Sequence, residues 1–122
     1  MDKRRILIID DDRNNINSTG DFLRQEGFEV SAAENGAEGL KKLHEVNPEI
    51  VLLDLVLPGE SGFKIAHQIR EIPRYKHLPI IAISLKREEV DKHIAAKSGI
   101  AGYIEKPIDY NKLLFFIQEI LR

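Results

Sequence analysis

Polar side chains that could do chemistry together stand at the ends of apolar runs in this sequence. They are Asp10, Asp11, Asp12, Asp54, Ser84 and Lys106. The three consecutive aspartates directly follow the run ILII. Adjacent carboxylates repel one another wherever water is scarce, and a metal ion would relieve that repulsion. Taken alone, the three aspartates fit equally well a polar turn between a strand and a helix, with one of them as the N-cap.

Carboxylates from two runs, with no cysteine or histidine beside them, form a hard oxygen site that suits Mg²⁺ or Mn²⁺ rather than zinc. A lysine adds a fixed positive charge and a serine adds a hydrogen-bond donor, and an anionic phosphoryl group requires both. Aspartate can act as the nucleophile of phosphoryl transfer and form an acyl phosphate. The residue types therefore indicate a site for phosphate on a carboxylate.

Five short runs rich in Ile, Val and Leu predict the strands that position these residues. They span residues 6–9, 28–33, 49–55, 79–85 and 102–106. Runs without polar alternation are typical of parallel strands covered on both faces. Helical periods lie between them, and Asp109 is the predicted N-cap of the last helix. This alternation predicts a doubly wound α/β sandwich, in which ligands bind beyond the carboxyl ends of the strands.

The composition excludes several classes of protein. A chain of 122 residues with 43% hydrophobic residues fits one globular domain. A net charge of -2 and scattered basic residues argue against direct nucleic-acid binding. The absence of cysteine excludes disulfides and fits the cytoplasm, and no apolar run is long enough to span a membrane. The four histidines lack metal-ligand spacing and are expected to be solvent-exposed.

With these residues in place, the sequence resembles the receiver domains of two-component response regulators over essentially its whole length. The segment IIDDD matches the family's acidic pair, LLDLVLPGESG its phosphoacceptor segment with Pro58 and Gly62, AIS its hydroxyl position, and GYIEKP its Lys-Pro. Their order and spacing agree as well. The resemblance implies a flavodoxin-like (βα)5 fold, a three-layer sandwich whose parallel five-stranded sheet has the order 2-1-3-4-5.

The resemblance also implies the role of each acidic residue. Asp54 would accept a phosphoryl group from a phosphohistidine on a sensor histidine kinase or a histidine phosphotransfer protein. Asp10, Asp11, the Asp54 carboxylate and the backbone carbonyl of Val56 would hold Mg²⁺, with Mn²⁺ as a substitute. Asp12 lies outside this set, and we expect it to face solvent or to cap the first helix.

Further residues would bind the phosphoryl group and transmit its presence. Lys106 would pair with Asp54 before transfer and bind a phosphoryl oxygen afterwards, while Ser84 would donate its hydroxyl to another oxygen. Tyr103 stands at an aromatic position that swings inward, which changes the face made by the fourth helix, the fifth strand and the fifth helix. Pro107 matches a proline whose preceding peptide bond is cis, which would aim Lys106 into the site.

Four positions refine these expectations. Phe115 lies opposite the core stripe of the last helix, so we expect it to be exposed and hypothesise that it anchors a partner. Leu85 stands where receivers usually have a small residue, which predicts restricted access for small phosphodonors. Val56 and Lys86 stand at positions that tune dephosphorylation. Because the Val56 side chain cannot orient water, we predict slow spontaneous loss of phosphate.

We therefore expect a stand-alone, cytoplasmic receiver over residues 1–122 that signals to a downstream protein and is not an enzyme. A phosphorylation-independent adaptor with the same fold and a receiver fragment of a larger regulator remain alternatives. A Mg²⁺-dependent aspartyl phosphatase is disfavoured, because phosphatases of the haloacid dehalogenase type usually have a second aspartate where this chain has Val56. No residue decides whether the chain dimerises.

Overall fold

The computed structural model describes residues 3–85 and 99–122 of the chain. Its principal strands are β1 (Arg5–Ile9), β2 (Glu29–Ala33), β3 (Ile50–Asp54), β4 (Ile80–Ser84) and β5 (Ile100–Glu105). Its helices are α1 (Arg13–Gln25), α2 (Gly36–Val46), α3 (Gly62–Arg70) and a C-terminal helix (Tyr110–Leu121). The helix predicted around Val90 and Ile94 lies outside the described residues.

The five strands form one parallel sheet in the order β2-β1-β3-β4-β5. Ile9 of β1 pairs with Ala33 of β2 on one side and with Leu53 of β3 on the other, and Asp54 pairs with Ile83 of β4. This register places the carboxyl ends of neighbouring strands at one edge. The predicted doubly wound fold and its strand order are confirmed.

The sheet separates two hydrophobic cores, one on each face. Alternate residues of each strand point to opposite faces, so Ile8 and Ile9 belong to different cores. One core packs the sheet against α2 and α3, and the other packs it against α1 and the C-terminal helix. Because both faces are covered, the central strands β1, β3 and β4 are buried at nearly every position, which explains their continuous Ile, Val and Leu runs.

Side-chain caps begin two of the helices at aspartates. Asp109 accepts hydrogen bonds from the backbone N–H groups of Asn111 and Lys112 at 3.0 and 3.2 Å, as predicted. Asp12 accepts from the N–H groups of Asn14 and Asn15 at 2.9 and 3.4 Å. Both caps satisfy donors that a helix leaves unpaired at its first turn. The expectation that Asp12 caps the first helix is therefore met.

Two short elements were not predicted from the sequence. An antiparallel hairpin pairs Val56–Leu57 with Glu60–Ser61, and a 3₁₀ turn spans Pro73–Tyr75. Strands of two residues are too short to show a hydrophobic period, although Gly59 between them adopts a φ of +71°, which favours glycine. The sequence signal for such a hairpin lies in its turn and not in its strands.

Gly62 allows α3 to begin against the backbone of the residues that follow β3. Its N–H donates to the Leu55 carbonyl at 2.9 Å, and an ideal Cβ at this position would contact the Asp54 carbonyl and lie 2.6 Å from the Leu55 Cα. Those neighbours are backbone atoms, which cannot rotate away. Only glycine fits this position without displacing the segment that carries Asp54.

The variant Gly62→Ala is therefore expected to lower the free energy of unfolding by about 1–3 kcal/mol, the usual cost of forcing atoms into filled space. Urea denaturation followed by circular dichroism measures this change. The matched control is Gly20→Ala in α1, where an added methyl group meets the movable end of Arg24 at 3.1 Å. Replacing a glycine inside a helix should there raise stability by up to about 1 kcal/mol. Equal effects of the two variants would contradict the steric role of Gly62.

Candidate functional site

The carboxyl ends of β1, β3 and β5 bring two acids and a base together. The Lys106 ammonium lies 3.0 Å from Oδ2 of Asp54 and 3.4 Å from Oδ2 of Asp10. The side chains of Asp10 and Asp54 are only 4% and 6% exposed, and that of Lys106 is 13% exposed. One cation thus bridges two buried carboxylates, and the ion pairs are screened little by solvent.

Asp10 is held from two directions. Its backbone N–H donates to the Ala33 carbonyl at 3.0 Å, and its Oδ1 accepts from the backbone N–H of Asp12 at 2.9 Å. Burial raises the pKa of the Asp10 carboxyl, and the Asp12 N–H and the Lys106 charge only partly oppose that effect. The ionised form of Asp10 is therefore less stable in the folded protein than in water.

Each carboxylate oxygen of Asp54 has a partner. Its Oδ1 accepts from the backbone N–H of Val56 at 2.9 Å, and its Oδ2 accepts from Lys106. The next residue, Leu55, donates its N–H to the Ile83 carbonyl of β4 at 3.0 Å. The carboxylate is thus held in one orientation at the central strand of the sheet.

Lys106 is directed towards the acids by the end of β5. Its backbone N–H donates to the carbonyl of the buried Ser84 at 2.7 Å, and its peptide bond to Pro107 is cis. Burial acts to lower the pKa of Lys106, but the hydrogen bonds and charges of Asp54 and Asp10 outweigh it and raise the pKa. Lys106 therefore carries its charge at neutral pH.

A third carboxylate completes an all-oxygen donor set. Among the described residues, Asp10, Asp11 and Asp54 each offer an oxygen, and these atoms lie within 4.8 Å of one another. Ligands on opposite sides of Mg²⁺ are about 4 Å apart, because each lies at about 2.1 Å from the ion. Asp11 is exposed while its two partners are buried, so the site is open to solvent on one side. The residues present fit a Mg²⁺ ion.

Asp12 is not a member of this donor set, as predicted, but it makes a hydrogen bond to one member, Asp10. Its side chain caps α1, and its backbone N–H holds Asp10. The hydrogen bond from the Asp12 backbone N–H to Asp10 was not predicted from the sequence, because every residue except proline has this donor. The three consecutive aspartates therefore have three different environments.

The remaining predicted residues lie around this edge or beyond it. The Tyr103 hydroxyl oxygen is buried and has no hydrogen-bond partner among the residues that the structure describes. Phe115 is 56% exposed, as expected from the helical period. Leu85 and Val56 are also exposed: Leu85 directly follows the last residue of β4, and Val56 stands two residues after Asp54. Lys86 lies outside the described residues.

The fold and the acidic edge together define a flavodoxin-like α/β domain with a potential Mg²⁺ site. Residues 6–118 match the sequence model of the response regulator receiver domain. The chain belongs to the response regulator receiver domain family. Members of this family act in two-component signalling and are not classical enzymes.

Known relatives agree with this assignment. Protein PilH of Pseudomonas aeruginosa is 33% identical over 117 residues, which cover 96% of this chain and 97% of PilH. The response regulator TrrA of Thermotoga maritima, solved in complex with Mg²⁺-BeF, is 30% identical with a TM-score of 0.85, covering 96% of this chain and 98% of that one. The chemotaxis protein CheY4 of Vibrio cholerae has a TM-score of 0.92 at 24% identity, covering 98% and 99% of the chains, which shows the fold.

Within the described residues, none of the helices is both long enough and apolar enough to cross a membrane.

The variant Asp10→Asn is expected to raise the melting temperature in Mg²⁺-free buffer at neutral pH. A carboxyl whose pKa is raised by folding binds protons more tightly in the folded protein, so stability falls as the pH rises from its unfolded pKa to its folded pKa. A neutral amide avoids that loss and keeps the Oδ1 acceptor for Asp12. Thermal melts followed by circular dichroism, with and without Mg²⁺, measure the effect.

The matched control is Asp11→Asn, because Asp11 is an exposed member of the same donor set. It should leave the Mg²⁺-free melting temperature nearly unchanged, whereas both variants should reduce the stabilisation that Mg²⁺ adds. An Asp10→Asn protein that melts below wild type without Mg²⁺ would contradict the cost assigned to this buried charge.

Proposed function

We propose that this protein accepts a phosphoryl group on Asp54 in a Mg²⁺-dependent reaction and passes the signal on by binding another protein. The donor is a phosphohistidine on a histidine kinase or a histidine phosphotransfer protein. The observation that carries the proposal is the buried Asp54 carboxylate, which contacts Lys106 at 3.0 Å and shares an oxygen donor set with Asp10 and Asp11. The family to which the chain belongs and the Mg²⁺-BeF complex of the relative TrrA support it.

In this reaction the Asp54 carboxylate attacks the phosphorus atom of the phosphohistidine. An O–P bond forms, the N–P bond breaks, and the imidazole leaves with the electron pair of that bond. The hydrogen bonds from Val56 and Lys106 to the two carboxylate oxygens fix the orientation of the nucleophile before the donor arrives. Burial strips the carboxylate of water, and the acyl phosphate is then shielded by the same surroundings.

Asp10, Asp11 and Asp54, together with the backbone carbonyl of Val56, would hold the Mg²⁺ ion. When bound, Mg²⁺ neutralises negative charge on the transferring phosphoryl oxygens. Lys106 contributes a second positive charge, which moves from the carboxylate to a phosphoryl oxygen. Ser84, which is buried at the end of β4, would donate its hydroxyl to another phosphoryl oxygen.

The output of the reaction is a change of surface. The Tyr103 hydroxyl is buried without a partner among the described residues, and Tyr103 lies on β5, the strand that directly precedes Lys106. Moving Ser84 and Lys106 onto a phosphoryl group alters the end of β4 and β5, and Tyr103 shifts with them. The exposed Phe115 on the neighbouring C-terminal helix is then a contact for the downstream protein.

Incubation with Mg²⁺ and acetyl phosphate or a phosphorylated histidine kinase should add one phosphoryl group, which intact-protein mass spectrometry detects. Asp54→Asn should abolish this addition because the amide is a poor nucleophile. Asp12→Asn is the control, since an asparagine caps a helix as well as an aspartate and lies outside the donor set. It should be labelled like wild type.

Addition that persists in Asp54→Asn would refute the proposed acceptor. Absence of addition with every donor would instead favour a phosphorylation-independent adaptor with the same fold. Because Leu85 borders the site, addition from acetyl phosphate is expected to be slower than addition from a protein donor.

The acyl phosphate on the wild-type protein is expected to be long-lived, because the exposed Val56 side chain has no group that could orient an attacking water. Val56→Asn supplies an amide at this position and should shorten the lifetime at least about tenfold, a modest fraction of general acid-base effects. Val56→Ala, which adds no polar group, is the control and should leave the lifetime unchanged. Phosphate release after removal of the donor measures these rates, and a wild-type lifetime of seconds would contradict the prediction.

A further inference from the structure

The hairpin that follows β3 is fastened to the helix α2, which contributes no residue to the acidic edge. Glu60, in the second strand of the hairpin, accepts a hydrogen bond on Oε1 from the backbone N–H of Gly36, the first residue of α2. That N–H is one of the donors that a helix leaves unpaired at its start, and a carboxylate there is favoured by the helix dipole. The neighbouring cap, Asn35, serves Glu38 instead.

The hydrogen bond between Gly36 and Glu60 requires that residue 36 has no side chain. An ideal Cβ on Gly36 would lie 2.6 Å from Oε1 of Glu60 and would also collide with Ile65 of α3. A side chain at this position would therefore push the Glu60 carboxylate away from the N–H group. The absence of a side chain at Gly36 and the carboxylate of Glu60 together form one contact between the hairpin and α2.

Glu60 lies in the hairpin strand that pairs with the strand of Val56. In the hairpin Glu60 pairs with Leu57, and Val56 pairs with Ser61. Leu57 is buried in the core, while the Val56 side chain is exposed. The position of the Val56 backbone therefore depends on its hairpin partners and on the N–H bond to Asp54.

We infer that Glu60 is a positioning residue, which sets the Val56 carbonyl for Mg²⁺ by anchoring the hairpin to the N-terminus of α2. The inference rests on the proposed function, in which that carbonyl is a ligand. It assigns to Glu60 a role through its hydrogen bond to α2 and not through a direct interaction of its charge with the metal ion, since Glu60 contacts the helix and is not a member of the donor set. Groups that orient metal ligands affect affinity although they do not touch the ion.

The experiment compares Mg²⁺ affinities of the full chain by isothermal titration calorimetry. Glu60→Ala should weaken binding by about tenfold, the lower end of effects seen for groups that orient ligands. Glu60→Gln removes the same charge but keeps an oxygen acceptor for Gly36, and it should bind Mg²⁺ nearly as well as wild type. Urea denaturation without Mg²⁺ identifies conditions in which every variant is folded.

A double-mutant cycle with Gly36→Ala isolates the contact from the collision with Ile65. Gly36→Ala alone should weaken Mg²⁺ binding, and adding Glu60→Ala to it should weaken binding little further. The Mg²⁺-induced shift of the Val56 backbone carbonyl resonance in NMR spectra should shrink in Glu60→Ala and be restored in Glu60→Gln. A purely structural role of Glu60 would not produce that pattern.

Equal losses in Glu60→Ala and Glu60→Gln would overturn the inference in favour of a simple charge effect. Unchanged affinity in all variants, or independent addition of the two alanine effects, would overturn it as well. These results would leave the proposed function intact, because the wild-type protein would still bind Mg²⁺. A wild-type protein with no Mg²⁺ affinity would overturn both.

Discussion

The shared ion pair of Lys106 with Asp54 and Asp10 is the interaction on which the rest of this structure depends. Three charges lie at the end of the sheet with little access to water, and removing charges from water is expensive. A single cation between two anions leaves one negative charge in excess, to which the exposed Asp11 adds another. The edge therefore carries an excess of negative charge, which would favour the binding of a divalent cation.

The packing of the sheet stabilises this group of buried charges. Asp10 and Asp54 stand at the carboxyl ends of β1 and β3, whose apolar side chains are buried on both faces, so the two cores hold these strand ends in register. Backbone groups then satisfy the charges locally: the N–H groups of Asp12 and Val56 point at the two acids. The folding energy of many apolar residues thus supports a few polar residues that destabilise the protein.

The strands of the sheet and most residues of the candidate site could be predicted from the sequence, because the signals for them lie in short segments of the chain. Continuous apolar runs define buried parallel strands, and the rule that ligands lie beyond their carboxyl ends places Asp10, Asp54 and Lys106 together. The start of β5 was predicted too late, at residue 102, because the sequence does not show the pairing of Ile100 with Ile80, which extends the strand. The contact between Glu60 and Gly36 gave no signal, because two residues 24 positions apart meet only through the path of the loop.

The two functions of Asp12 set a limit on what can replace it. Its side chain begins α1, a task that serine, threonine or asparagine performs almost as well. Its backbone N–H holds Asp10, a task that is indifferent to the side chain. The position is therefore tolerant of many polar residues and intolerant of proline, which lacks the N–H group. Variation at the third aspartate can change the surface at the start of α1 while the carboxylates beside it keep their positions.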